Sequence, residues 1–392
     1  MPLASKEIVA PDVFWVGSID WSVRVFHGYH TDEGTSYNAY LLMDEDVTLI
    51  DTVKQSFSQE LIERITQVTS LDSVKYVIMN HAENDHSGAL PYVMTLLKNA
   101  TIVTNKICME HLLLLYPELR HYPFKIVNNS TPLVLKSHTI QFLQVPMLHW
   151  PDSMFSYCPD INTLFSNDGF GQHIACSERF IDQVPLQDHV LRQMREYTAN
   201  ILGPCQVPLQ HALKCIESIQ IDTILTGHGC SWRDASVQLA LSEYSIFAQN
   251  KQLKRKLSIF FHSLSGTVKR TAELLAQQSP IQIQMHDLTI DDLTKCALSA
   301  FDSEYIAFGS PTIYGQVTPL VESTLQYLLN LHLFKSRKVI LFGTFSWADK
   351  AVIDMKQLIK NGGGTVVSEI SFKLQMNEKI KEQIYEDFKL IF

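Results

Sequence analysis

Two rhythms of apolar and polar positions run along the chain. Up to about residue 250 the apolar runs are short, β-branched or aromatic, and most stop at Asp, Asn, Gly or His. Runs of this kind predict strands, here at Tyr40–Met43, Val47–Asp51, Val74–Met79, Thr101–Thr104, Thr139–Val145, Thr163–Ser166 and Thr223–Thr226. Apolar residues recur at helical spacing over Gln59–Val68, Leu90–Lys98, Val190–Ile201 and Val207–Ile219. Beyond about residue 255 strand and helix signals alternate strictly. Strand Leu257–Phe261 precedes helix Val268–Gln277, and Ile281–Asp287 precedes Asp291–Ser299. Tyr305–Gly309 precedes Pro319–Leu331, Lys338–Gly343 precedes Lys350–Asn361, and Thr365–Ile370 precedes Asn377–Leu390. Five such units predict a three-layer αβα domain around a five-stranded parallel sheet. The charged stretch Asn250–Lys256 marks the change of rhythm, so two domains are expected, 1–250 and 251–392.

Composition narrows the class. The 392 residues are 46% hydrophobic and 19% charged, as packed globular domains are. With 41 acidic against 32 basic residues the net charge is −9, which argues against nucleic-acid binding carried by dense Lys and Arg. The apolar runs, such as Leu112–Tyr116, fall far short of the ~20 residues that span a bilayer. Met1–Glu7 has no apolar core, so no secretory leader is expected. The seven cysteines (108, 158, 176, 205, 215, 230 and 296) are scattered and never form Cys-x-x-Cys. That argues against a disulfide framework and against a zinc-ribbon or rubredoxin-type site. A soluble, cytoplasmic protein is expected.

The densest chemistry is His81-Ala-Glu83-Asn-Asp85-His86, directly after a predicted strand. A helix cap would use Asp85 alone and leave the other three side chains without a role. His149, Asp168 and His228 follow other predicted strands, the last two within Ser-Asn-Asp-Gly and Thr-Gly-His-Gly. Singly, each reads as a capped or buried polar residue; together with the first cluster they complete a site. Four imidazoles and three carboxylates exceed what one ordinary zinc ion takes. Two metals bridged by a carboxylate would use them all. Mixed nitrogen and oxygen ligation without thiolate suits iron or manganese as well as zinc.

This pattern resembles the metallo-β-lactamase superfamily motif His-x-His-x-Asp-His, with Glu83 in place of the second His. That replacement is characteristic of the flavodiiron protein family, and the resemblance extends through Phe26-His-Gly-Tyr-His30, Gly34-Thr-Ser-Tyr-Asn-Ala-Tyr40 and Thr226-Gly-His-Gly229. It implies a metallo-β-lactamase-like αββα sandwich followed by a flavodoxin-like domain. It also implies a non-haem diiron centre, with His81, Glu83 and His149 on one iron, Asp85, His86 and His228 on the other, and Asp168 bridging. His27 and Tyr197 match residues near the family's gas-binding pocket.

The second domain carries its own signal. Ser263-Leu264-Ser265-Gly266-Thr267-Val268 lies between a predicted strand and helix, where backbone N–H groups and the helix dipole cradle a phosphate. Pro311-Thr312-Ile313-Tyr314-Gly315 and Thr344-Phe345-Ser346-Trp347-Ala348 follow the third and fourth strands, where a flavodoxin holds its isoalloxazine ring. The family's usual Gly-Trp-Ser-Gly is altered here, with Ser346 and Asp349 replacing two glycines, and Val268 stands in place of Thr or Ser. The resemblance covers essentially the whole chain. It implies an oxidoreductase in which FMN relays electrons to two irons that reduce dioxygen to water, nitric oxide to nitrous oxide, or both. Because no Cys-rich segment follows the flavodoxin-like part, an external donor is expected, a rubredoxin or a deazaflavin. A head-to-tail homodimer, or a tetramer built of two, is also expected. The alternative is a two-zinc hydrolase of the glyoxalase II kind fused to a flavodoxin, which Glu83 and the flavin loops disfavour. A third reading is an electron-transfer protein with a degenerate metal site, against which the complete ligand set speaks.

Overall fold

A strand whose alternate residues meet apolar partners on both faces becomes a central strand of a layered sandwich. Val47–Ile50 is such a strand, buried at every position. In the computed structural model, which describes residues 6–392, it lies in a seven-stranded sheet. The order is Glu7–Ala10, Val13–Trp15, Tyr40–Leu42, Val47–Ile50, Val74–Ile78, Thr101–Thr104 and Phe124–Ile126. One face of this sheet presents Leu41, Leu49, Val77 and Ile102 to Leu61, Ile65, Leu90, Val93 and Leu112 of the helices Ser58–Val68, Leu90–Leu96 and Lys106–Leu115. The alternate residues Leu42, Ile50, Ile78 and Val103 pack against Ile140, Phe142, Met154, Phe165 and Leu225 of a second, six-stranded sheet. Beyond that second sheet, Phe170 stacks on Tyr244 of the helix Ala235–Ala248 at 4.2 Å. The layers therefore read helix, sheet, sheet, helix, an αββα sandwich.

The second unit is a five-stranded parallel sheet in the order Gln282–Asp287, Lys254–Phe261, Ser303–Pro311, Lys338–Phe345, Thr365–Lys373. Its first strand in sequence is second in space, the flavodoxin-like order. Ile259, Ala307, Ile340 and Phe342 pack against Val268, Ala272, Leu275, Ile384 and Phe388 on one face. Phe260 stacks on Phe308 at 5.1 Å on the other.

The five β-α units appear within a few residues of their predicted ends. The chain divides into one unit that runs to Tyr197 and resumes over Cys205–Gln249, and another of Thr198–Pro204 with Asn250–Phe392. The helix read over Val190–Ile201 is α-helical over Gln187–Tyr197 and π-helical over Thr198–Leu202. In that last stretch Tyr327 donates to Asn200 Oδ1 at 2.7 Å. Continuous periodicity does not reveal that a final turn packs on a residue 127 positions away. Helix Ala235–Ala248 and strand Met154–Cys158 escaped the pattern because neither is one-sided: the helix gathers no apolar stripe and the strand is buried at all five positions. No helix among the described residues is long and apolar enough to cross a membrane. The stretch Met1–Glu7, read for a leader, falls mostly on residues 1–5, outside the described part.

One buried acid ties the two sheets of the sandwich at the ends of their parallel strands. Asp51, just past Val47–Ile50, accepts from Asn80 N at 2.8 Å and Asn80 Nδ2 at 2.9 Å, both beyond Val74–Ile78. Across the sandwich it accepts from Asn167 Nδ2 at 3.2 Å, at the end of Thr163–Asn167. Asp51→Ala would leave three buried donors without an acceptor, at roughly 1–3 kcal/mol each. Denaturant unfolding should show the variant at least about 3 kcal/mol less stable; a parental midpoint would overturn this role.

Candidate functional site

The seven predicted ligands come from strand ends and the irregular backbone after them. Val74–Ile78 delivers His81, and the short helix Asn84–Ser87 carries Asp85 and His86 with Glu83 at its N-cap. His149 follows Thr139–Gln144, Asp168 follows Thr163–Asn167, and His228 follows Thr223–Thr226. Gly227 is required beside His228: a Cβ there would lie 2.8 Å from the His86 ring and 2.9 Å from the Asn167 backbone.

All seven meet, in two overlapping sets: His81, Glu83, His149 and Asp168, and Asp85, His86, Asp168 and His228. Within each set the ligand atoms lie within 4.8 Å of one another. Glu83 Oε2 faces His81 Nε2 at 3.3 Å and His149 Nε2 at 3.1 Å. Asp85 Oδ2 faces His86 Nε2 at 3.2 Å and His228 Nε2 at 3.0 Å. Asp168 serves both sets. Its Oδ1 lies 3.0 Å from His86 Nε2 and 3.3 Å from His228 Nε2, whereas its Oδ2 lies 3.4 Å from His149 Nε2 and 3.7 Å from His81 Nε2.

His27 joins this cluster, with Nε2 3.6 Å from Glu83 Oε1 and 3.6 Å from Asp85 Oδ2. Tyr197 lies one ring further out, 5.0 Å from the ring of His173 and 6.3 Å from that of His228. Its hydroxyl is buried and has no hydrogen-bond partner.

In the second unit the three predicted loops leave the C-terminal ends of neighbouring strands, at the reversal of strand order where open α/β sheets take ligands. Gly266 adopts φ +80° as the N-cap of helix Thr267–Gln278, and in the first turn Ser263 Oγ accepts from Lys269 N at 3.2 Å. Ser263, Leu264, Ser265 and Thr267 surround it; Val268 points into the core, so only its backbone reaches the loop. In the second loop Pro311, Thr312, Ile313 and Gly315 are half-buried and Tyr314 is 92% exposed. In the third, Thr344, Phe345, Ser346 and Ala348 are half-buried and Trp347 is 78% exposed. Thr312 joins the last two loops, donating its N–H to Thr344 O at 2.7 Å and accepting from Ala351 N at 3.1 Å.

Residues 35–229 match the family model described as ODP family beta lactamase. The nitric oxide reductase of Moorella thermoacetica is 32% identical over 90% of this chain and 89% of its own. The crystal structure of the flavodiiron protein from Giardia intestinalis is 39% identical, with a TM-score of 0.95 over 100% of this chain and 96% of that one. The rubredoxin oxygen:oxidoreductase from Desulfovibrio gigas superposes with a TM-score of 0.93 at 30% identity, covering 98% and 97% of the two chains. The chain belongs to the flavodiiron protein family.

Sequence reading missed the shell that orients this flavodiiron site. Asp152 Oδ2 faces His81 Nδ1 at 3.0 Å and accepts from Ala82 N at 2.8 Å. His228 Nδ1 donates to Ser36 O at 2.7 Å. These contacts leave Nε2 of both imidazoles directed into the cluster. His173 bridges outward, its Nε2 3.1 Å from His27 Nδ1 and its Nδ1 2.8 Å from Thr35 Oγ1. Asp152 stands three residues after His149, a spacing that hinted at it; His173 sits in irregular backbone six residues past the strand Thr163–Asn167, so nothing local singled it out.

Charge dominates the site. Burial opposes ionisation of Glu83, yet the facing imidazoles of His149 and His81 hold its carboxyl down at about 2. Burial likewise opposes ionisation of Asp85 and Asp168, and the neighbouring imidazoles, His86 foremost, keep both below the usual carboxylate range. In return, despite burial, the pull of the facing carboxylates, Asp168 and one other in each case, raises His149 to about 9 and His228 to about 10. Three anionic side chains enclosed together draw cations into the centre, protons or metal ions. His27 and His173 shift the opposite way, because burial outweighs the attraction of the carboxylates and holds both imidazoles neutral.

Asp152→Ala should loosen His81 and weaken metal binding by about 10–100-fold, the usual effect of removing an orienting partner. Competition with a graded chelator series measures this, and an unchanged affinity would remove Asp152 from the orienting role.

Proposed function

We propose that this flavodiiron protein is an oxidoreductase that reduces dioxygen to water, nitric oxide to nitrous oxide, or both, with electrons from an external donor of the rubredoxin type. The observation that carries the reading is Asp168, one carboxylate whose two oxygens face two separate sets of imidazoles. A pair of ions fits these residues. Both oxygens of Asp85, Oδ2 of Asp168 and Nε2 of His149 and His228 are buried without a hydrogen-bond partner. Metal coordination would satisfy each of them. By this reading His81, Glu83 and His149 hold one iron, Asp85, His86 and His228 the other, and Asp168 bridges. Glu83 adds an anionic oxygen ligand, which favours iron over the softer preferences of zinc.

The flavin loops fit FMN in the same sense. Gly266 has no side chain to cap its helix, and the backbone N–H groups of Thr267 and Val268 at the helix start suit a phosphate. Tyr314 and Trp347 offer exposed rings for stacking. When bound, FMN supplies electrons to the irons, and the irons supply them to the gas. The chain's own part is to hold these groups, exclude water and manage protons. His27, neutral and 3.6 Å from two ligand carboxylates, is positioned to take up a proton from the His173 side and deliver it toward the gas, whose reduction consumes protons. Tyr197, whose burial raises its pKa well above the ordinary value, stays an O–H donor at all working pH.

The purified protein should contain an iron pair and one FMN per chain, and should consume dioxygen or nitric oxide once reduced. Asp168→Ala should lose both irons, keep its FMN and lose gas consumption. Zinc in place of iron, or two irons retained by the variant, would overturn the reading or its ligand assignment respectively.

Electron delivery requires flavin and irons to be close, so we also propose a head-to-tail homodimer in which one chain's flavin loops face the partner's metal centre. Apolar side chains exposed at both sites support it. Leu264, Tyr314 and Trp347 are exposed on the flavin loops, and Trp21, Val25 and Met147 are exposed on the segments that carry His27 and His149. An Asp168→Ala chain and a chain with Gly266 and Trp347 replaced should each be inactive alone. Co-expressed, they should regain activity through mixed dimers. Mixed dimers that form but stay inactive, beside parental monomers that stay active, would place electron transfer within one chain.

A further inference from the structure

Two cysteines that the metal and flavin sites do not use lie against each other in the first unit. Cys176 Sγ and Cys230 Sγ are 3.2 Å apart, although 54 residues separate them in sequence, and both are free thiols. Cys230 is buried and its backbone is fixed: its N–H donates to Gln172 Oε1 at 2.7 Å, and its carbonyl accepts from Gln172 Nε2 at 2.8 Å. Cys176 is only partly buried. It lies on the strap Cys176–Glu178, whose carbonyls at 176 and 177 accept from Arg179 Nη2 at 2.8 and 2.9 Å. One thiol is therefore open to small oxidants, and the second waits behind it. Closing the sulfurs to a bonding distance of ~2.05 Å requires about 1 Å of approach, which rotation of the two side chains and a small shift of the strap supply.

We propose that Cys176 and Cys230 form a peroxide-responsive dithiol that closes to a disulfide. Cys176 attacks one oxygen of a hydroperoxide; the O–O bond breaks, and the leaving oxygen takes up the thiol's proton and departs as water, or as an alcohol from an organic hydroperoxide. Cys176 is then a sulfenic acid. The Cys230 sulfur attacks the sulfenyl sulfur, the S–O bond breaks, and water leaves with the second thiol proton. Two thiols thus give up two electrons and two protons, and the peroxide is reduced. The environment assists the first step, since the Cys230 thiol, and the Arg179 charge against the opposing effect of burial, hold the Cys176 thiol below its ordinary range. The bond would join the loop three residues beyond His173 to the loop two residues beyond His228, fixing two segments that line the metal centre. Nothing in this step depends on which gas the centre reduces.

The test uses the fully loaded, oxidised protein with no electron donor, treated with stoichiometric hydrogen peroxide, alkylated and digested. A Cys176–Cys230 cross-linked peptide should appear, reversed by dithiothreitol, and alkylatable thiols in denaturant should fall from the chain's seven to five. Cys215, part-exposed but facing the His211 ring rather than a thiol, is the internal control and should stay alkylatable. In Cys230→Ser the reaction should stop at the sulfenic acid, trapped on Cys176 by dimedone. If that variant does not fold, the cross-link in the parent protein decides alone. A parallel treatment with diamide, a thiol oxidant that is not a peroxide, separates the outcomes. Closure with diamide but not with peroxide overturns the proposal, as does Cys176 driven to sulfinic acid while Cys230 stays alkylatable.

Discussion

Everything in the first unit is arranged around three carboxylates and four imidazoles enclosed in a space of a few ångströms. Buried anions at this density repel one another and lose their hydration, so they persist only with positive charge between them. Protons on the imidazoles can supply that charge, as the raised His149 and His228 show, and the Nε2 atoms of all four rings face inward. The centre therefore attracts cations, protons or metal ions. Its donors are both nitrogen and oxygen, and Asp168 turns one oxygen toward each of the two sets of imidazoles.

The fold meets this electrostatic demand with rigidity. Each ligand stands just beyond a strand whose other residues are locked into the cores on either side of the sheets. Asp51 holds the ends of three such strands together, and Asp152 and the Ser36 carbonyl turn His81 and His228 so that the correct nitrogen points inward. Positions on strand ends keep ligands near fixed coordinates while leaving the loops free to vary. The cost of desolvating the charges is thus met by a scaffold that holds them at coordination distance before any ion arrives.

The second unit solves a different problem with the same geometry. Its three loops leave adjacent parallel strands at the reversal of strand order, where open α/β sheets take ligands, and one of them runs into a helix start. Aromatic rings left open to water at 92% and 78% are costly in an isolated chain and become favourable when a flavin or a partner covers them. Cys176 and Cys230 are a third case of loop proximity: the loops after His173 and His228 also bring two thiols to 3.2 Å.

Much of this was legible in the sequence because it is local. Strand and helix periodicity is set over five to fifteen residues, so the alternation after residue 255 showed the parallel sheet, and its order followed from the flavodoxin-like likeness. The spacing His81, Glu83, Asp85, His86 declared a metal site because residue chemistry and separation are properties of the chain itself. What the chain could not declare are contacts made only through space. Asp152 orients His81 from 71 residues away, His173 meets His27 from 146 away, and Cys176 meets Cys230 from 54 away. Segment 198–204 joins the second unit although it lies within the first in sequence. The sequence by itself determined which side chains could serve as ligands and roughly where the strands would end. Only tertiary packing decided which oxygen of Asp168 faces which imidazole, because that depends on how two sheets, built from segments far apart in sequence, settle against a common core.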